Sequence, residues 1–132
     1  MLATLGVPFD LEASAFAVDA AVESGQRLLV AVIAELPPLP LSVMLGFDQI
    51  DSPDEEAAFR APAALAASLG VAVERLRVRS VRPVTALVEL VAECAPGLLV
   101  FGPDRSRVSR RRYRKAVCQL RERATCLMWI AQ

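Results

Sequence analysis

An α/β fold, a three-layer α/β/α sandwich around a five-stranded parallel sheet, is predicted by three features of this sequence. Arg27 to Ala34 reads RLLVAVIA, an apolar run without alternation. Such runs belong to strands buried on both faces, and hence to a parallel sheet with helices on each side. Strand-like and helix-like patterns alternate along the whole chain, as βαβ units require. Glycine or proline punctuates the helical stretches, at Gly25, Pro53, Gly70 and Pro83. Right-handed crossovers through a β-α-β-α-β-α-β-α-β order give a sheet ordered most simply 3-2-1-4-5.

Each element has its own local signature. Leu2 to Val7 is a short β-type run that ends at Pro8-Phe9-Asp10. From Leu11 to Ser24 the period becomes helical, with Phe16, Ala17, Ala20 and Ala21 on one face and Glu12, Asp19 and Glu23 on another. Gly25 tolerates the left-handed backbone that stops a helix. After the strand of residues 27–34, Leu36 to Asp51 forms a Pro-rich connection that is unusually apolar for a loop. It reads as a segment tucked over the domain or as a mobile contact surface. Ser52-Pro53-Asp54-Glu55 is a helix start, with Ser52 as N-cap and Glu55 closing a capping box. That helix should run to Leu69, with a kink or break at Pro62, whose ring removes the bond to the Ala58 carbonyl. Val71 to Val78 alternates and predicts a more exposed strand. Pro83 opens a helix to Ala95 with Leu87, Val88 and Val91 inward. Gly97 to Phe101 is the next buried strand. Val108 to Arg123 is a basic helix packed through Tyr113, Ala116, Val117, Leu120 and Ala124, and Cys126 to Ala131 is the last strand.

The 132 residues fit a single domain, 1–132. Hydrophobic residues are 55% of the chain and the mean hydropathy is +0.42, which excludes a disordered polar segment. No apolar run reaches the roughly 18 residues needed to cross a bilayer. The first ten residues, MLATLGVPFD, lack a basic region and reach an acid early, so a soluble cytoplasmic protein is expected. Histidine is absent, which removes Ser/His and Cys/His catalysis and the commonest metal ligand. Cys94, Cys118 and Cys126 form no CxxC pair and read as three small buried hydrophobes in a reducing compartment. No metal site is expected.

The zero net charge hides a polarity. Residues 1–60 hold ten acids against Arg27 and Arg60, whereas residues 105–132 hold nine bases against Glu122. Most of the bases follow the turn at Gly102-Pro103. In an open α/β sheet, ligands bind outside the carboxyl ends of strands. Cations at a helix C-terminus, such as Arg121 and Arg123, suit the helix dipole; those from Arg107 to Arg112, at its N-terminus, oppose it unless an anion is there. Nucleic-acid binding through Arg107, Arg110, Arg111, Arg112, Arg114 and Lys115 is disfavoured by a pI of 6.3 and by Tyr113 being the one aromatic in the cluster.

Over nearly its whole length the chain resembles the universal stress proteins, in the adenine nucleotide α-hydrolase-like group of folds. The resemblance rests on the first strand ending at Asp10, the long loop after the second strand, and the segment LAASLGVAVE (65–74). It rests also on VTALVELVAECAPGLLVFGP (84–103) and on CLMWIA after a helix ending in RERATC. Nucleotide-binding members share a phosphate loop after the fourth strand, Gly, two residues, Gly, nine residues, Gly, then Ser or Thr. Its glycines let backbone N–H groups reach phosphates. In this sequence Gly102 matches the first position, whereas Arg105, Lys115 and Ala116 replace the other three. Asp10 matches the acid that faces the nucleotide, while Leu11-Glu12 replaces the usual small pair.

The resemblance therefore implies a regulatory or interaction module that is not an enzyme, holds no cofactor and does not bind ATP in the family mode. It also implies a homodimer formed through the strand Cys126–Ala131, with Trp129 at that interface or buried beneath the preceding helix. The alternative is an ATP- or anion-binding protein whose degenerate site comprises Pro8, Asp10, Gly102, Arg105, Ser106 and Lys115. In it the two new cations would hold a phosphate in a different geometry.

Overall fold

The computed structural model describes residues 1–36 and 53–130. Within them are five strands, β1 (Leu2–Thr4), β2 (Leu28–Glu35), β3 (Val73–Ser80), β4 (Leu98–Phe101) and β5 (Leu127–Ile130). Four helices connect them: α1 (Leu11–Ser24), α2 (Pro53–Ser68), α3 (Pro83–Cys94) and α4 (Arg110–Arg123). All strand pairs are parallel and the sheet order is β3-β2-β1-β4-β5, the simplest order expected for right-handed crossovers. The connection from residue 37, the Ser52 cap with its capping box, and Ala131 lie outside the described residues.

The apolar run in β2 is buried on both sides. Val30 and Val32 join Leu2, Val100 and the α1 and α2 residues Ala13, Ala17, Val18 and Phe59 in one core layer. Ala31 and Ile33 join Ala3, Leu99, Phe101 and residues of α3 and α4 in the other. Successive side chains of a strand point to opposite faces, so an unbroken apolar run serves both layers.

Several boundaries differ from the sequence reading, each for a local reason. β1 ends at Thr4 instead of Val7, because Gly6 adopts φ +67° and the Thr4 hydroxyl donates to the Val7 carbonyl at 2.9 Å. β3 runs two residues later than expected because its ladder with β2 continues to the Glu35–Ser80 pair. α4 begins at Arg110, with Ser109 as its N-cap accepting from the Arg112 N–H. Of the kink or break expected at Pro62, the break does not occur: α2 is continuous through it. Ala58, Phe59 and Ala66, all buried, pin the helix on both sides of the lost bond. Gly25 stops α1 at φ +68°, as expected.

The buried face of α1 is Ala13, Ser14, Ala17, Val18 and Ala21; Phe16 is 40% exposed and lies at its margin. There it stacks on Trp129 of β5, with ring centroids 5.1 Å apart. Trp129 is thus partnered across the sheet by α1, not by the preceding helix. β3 is an edge strand whose Arg75, Arg77 and Arg79 meet Glu55 and Glu56 of α2. Edge strands are protected from adding further strands by inward charge of this kind. The cysteines are not all buried. Cys94 and Cys126 are half-buried, and Cys118 is exposed, its thiol donating to the Glu122 carboxylate.

Candidate functional site

The sheet order reverses between β1 and β4, whose following loops leave toward opposite faces. This switch point opens a crevice in which α/β sheets commonly bind ligands. Here the chain itself spans it. The Asp10 N–H donates to the Gly102 carbonyl at 2.9 Å, and the Asp104 N–H donates to the Pro8 carbonyl at 2.8 Å. Phe9 and Pro103 form an antiparallel bridge between them. Pro8, Asp10 and Gly102, nominated from sequence, are therefore brought together by main-chain bonds.

Their side chains have structural partners. Asp10 is the N-cap of α1, its carboxylate accepting from the Ala13 N–H at 3.0 Å. Gly102 faces Ala13, and a Cβ added at Gly102 would stand 2.1 Å from the Ala13 Cβ. The glycine lets the first turn of α1 close against the end of β4. The same absence of a side chain that would admit a phosphate is filled by a methyl group of the protein.

Arg105 and Ser106 turn away from Asp10 to separate partners. The Arg105 guanidinium lies 3.7 Å from the centre of the Tyr113 ring, a cation–π contact on the outer surface of α4. Ser106 donates its hydroxyl to Asp104 at 2.7 Å and its N–H to the same oxygen at 3.0 Å. These hydrogen bonds, hydroxyl first, hold the Asp104 carboxyl below its usual range. An ionised carboxylate thus occupies the turn where a phosphate would need positive partners. Sequence reasoning passed over Asp104, although Asp-x-Ser after a strand is the signature of a side-chain-closed turn.

Lys115 is not brought to this turn. It lies within α4, beyond the Ser109 cap, and lines a cleft of about 540 Å³ with Glu35 at the end of β2, Arg82 before α3, and Arg111 and Arg112. Arg105 lines a different surface groove of about 480 Å³ with Tyr113, Val117 and Ile130. The six nominated residues thus divide into one bridged turn, one cation on an outer face and one in a cleft. Tyr113 is 6% exposed beneath Arg105, which leaves the basic helix without an open aromatic surface for stacking bases. Among the described residues, no group of three or more His, Cys, Asp or Glu could hold a metal ion. No helix among them is long and apolar enough to cross a membrane.

No protein-family model and no curated protein matches the chain. Solved structures do. A universal stress protein from Burkholderia pseudomallei is 16% identical, with a TM-score of 0.60 over 98% of this chain and 94% of its own. A universal stress protein solved with cAMP is 20% identical, with a TM-score of 0.61 over 100% and 96%. One from Archaeoglobus fulgidus in complex with dAMP is 13% identical, with a TM-score of 0.61 over 99% and 96%. The agreement of these structures with the strand order and helix layers described above establishes that this chain has the fold of the universal stress proteins.

Proposed function

We propose that this chain is a universal stress protein-like regulatory or interaction module of the cytoplasm, without catalysis, that pairs through β5 and does not bind ATP in the family's usual mode. The observation that carries this reading is the closed turn after β4. Ala13 fills the space beside Gly102, the Asp10 carboxylate caps α1, and Ser106 is bonded to the anionic Asp104. A nucleotide phosphate at this turn would have to displace Ser106 and approach a carboxylate, which costs binding energy instead of supplying it. The two carboxylates at the turn are both engaged, Asp10 as the cap of α1 and Asp104 with Ser106, so neither stands ready as a general base.

Support for pairing comes from β5. It is an edge strand with Leu127 76% exposed and the half-exposed Phe16–Trp129 stack beside it. Unprotected apolar edges of this kind are normally covered or paired.

Calorimetric titration with ATP, ADP and AMP tests the reading of the turn. The expected result is no saturable heat with AMP at millimolar concentration, and no nucleotide bound more tightly than inorganic tripolyphosphate, since nothing at the turn adds affinity. ATP bound more tightly than tripolyphosphate, and weakened by Ser106→Ala, would refute it.

A further inference from the structure

We propose that the cleft between the first turns of α3 and α4 is a binding site for a small polyanion carrying two or more phosphate groups. Its residues lie outside the bridged turn of Pro8–Asp104, so the proposal does not depend on how that turn is read.

Three observations converge. The cleft has a volume of about 540 Å³, within the range of about 300–1,000 Å³ typical of small-ligand sites. Arg82, Arg111, Arg112 and Lys115 line it, against the single carboxylate of Glu35. Glu35 is committed to Arg112. Among the described residues, the side chains of Arg82, Arg111 and Lys115 make no ion pair. The cleft therefore carries a net excess of about three positive charges in a concave space.

The helices sharpen this excess. Both α3 and α4 begin at the cleft, neither has an acid in its first turn, and Arg82, the cap residue of α3, makes no side-chain cap. Helix N-termini carry partial positive charge and favour anions. Here they are surrounded by cations, an arrangement that is self-repelling when empty and attractive to an anion. Thr85 in the first turn of α3 adds a hydroxyl on the lining. Forked guanidiniums match phosphate oxygens, and two arginines with a lysine set apart on two helices match more than one phosphate. A single phosphate would leave part of this charge unmatched.

Calorimetry on the full chain with inorganic tripolyphosphate, pyrophosphate and orthophosphate at matched ionic strength tests the site. Tripolyphosphate should saturate below millimolar concentration and bind more tightly than orthophosphate. The variant Arg82→Gln/Lys115→Gln should lose at least about tenfold in affinity, since it removes two charge-assisted contacts. Arg121→Gln, at the far end of α4, should bind as the unaltered chain does. Thermal melting separates binding from folding. Without ligand, the double variant should melt at the same or a higher temperature than the unaltered chain, because like charges have been removed from helix N-termini. Tripolyphosphate should raise the melting temperature of the unaltered chain only. Absence of tripolyphosphate binding at millimolar concentration, or equal binding by the double variant, would overturn the proposal. ATP bound more tightly than tripolyphosphate and retained by the double variant would overturn the reading of the turn instead.

Discussion

Replacing Gly102 by alanine tests whether this glycine serves packing. The new Cβ would lie 2.1 Å from the Ala13 Cβ, 3.6 Å from the Ala13 Cα and 4.0 Å from the Leu2 Cδ1. Carbon atoms pack at about 3.5–4.0 Å, so the first turn of α1 and the end of β4 must separate by about 1.5 Å. Neither can move freely. The Gly102 N–H donates to the Ala3 carbonyl at 3.1 Å, and its carbonyl accepts from the Asp10 N–H at 2.9 Å. Overpacking of this kind costs about 1–3 kcal/mol, and the upper end applies where backbone on both sides is fixed. Gly102→Ala should therefore destabilise the chain by about 3 kcal/mol. The cost is relieved by Ala13→Gly, because the nearest remaining atom would be the Ala13 Cα at an ordinary 3.6 Å. Ala13→Gly alone should cost about 1 kcal/mol through helix propensity. The double variant should then cost about 1 kcal/mol instead of the additive value of about 4, a coupling of about 3 kcal/mol. Urea denaturation of the four proteins, with unchanged slopes, measures it. A Gly102→Ala chain within about 0.5 kcal/mol of the unaltered one, or additive losses in the double variant, would refute the packing argument.

Other expectations follow from the same contacts. Glu55→Gln removes a carboxylate only 6% exposed that lies 3.2 Å from Arg79 and 3.6 Å from Arg77, and should cost about 2 kcal/mol in thermal or urea unfolding; a loss below about 0.5 kcal/mol would show that the pair is dispensable. Leu127→Lys places a charge on the β5 edge, and sedimentation should show a dimer for the unaltered chain and a monomer for the variant; an unaltered chain that stays monomeric at high concentration contradicts pairing through β5. Asp104 is held ionised by Ser106, so its folded pKa lies below its unfolded value of about 3.9 and its contribution is present above that value, lost only as pH falls through the lower folded pKa. The Ser106 amide resonance should accordingly titrate with a midpoint below about 3.9, and a midpoint at or above it would disprove the turn's hydrogen bonding.

The order of elements was readable from local signals because each signal acts within a few residues. Glycine at 25, Pro53, Pro83 and the unbroken apolar run of β2 all carry their meaning in their own neighbourhoods, and right-handed crossovers then leave one simple strand order. Where local reading failed, a neighbour remote in sequence decided. Pro62 does not break α2 because buried residues on either side hold the helix against the sheet. The start of α4 at Arg110 instead of Val108 has a local cause, the Ser109 side chain accepting from the Arg112 N–H.

By itself, the sequence determined an α/β chain of five strands and four helices, with a turn after β4 that holds one glycine, Gly102, followed by cations. It also placed Asp10 and Gly102 after two neighbouring strands, β1 and β4. Only the tertiary structure decided what those residues touch. Ala13 occupies the space at Gly102, Tyr113 takes Arg105, and Asp104 takes Ser106. Arg82, which no motif singled out, joins Arg111, Arg112 and Lys115 in one cleft. The reason is physical. Periodicity and caps are properties of consecutive residues, whereas the direction of a side chain and the charge around it depend on how helices far apart in the chain pack onto one sheet.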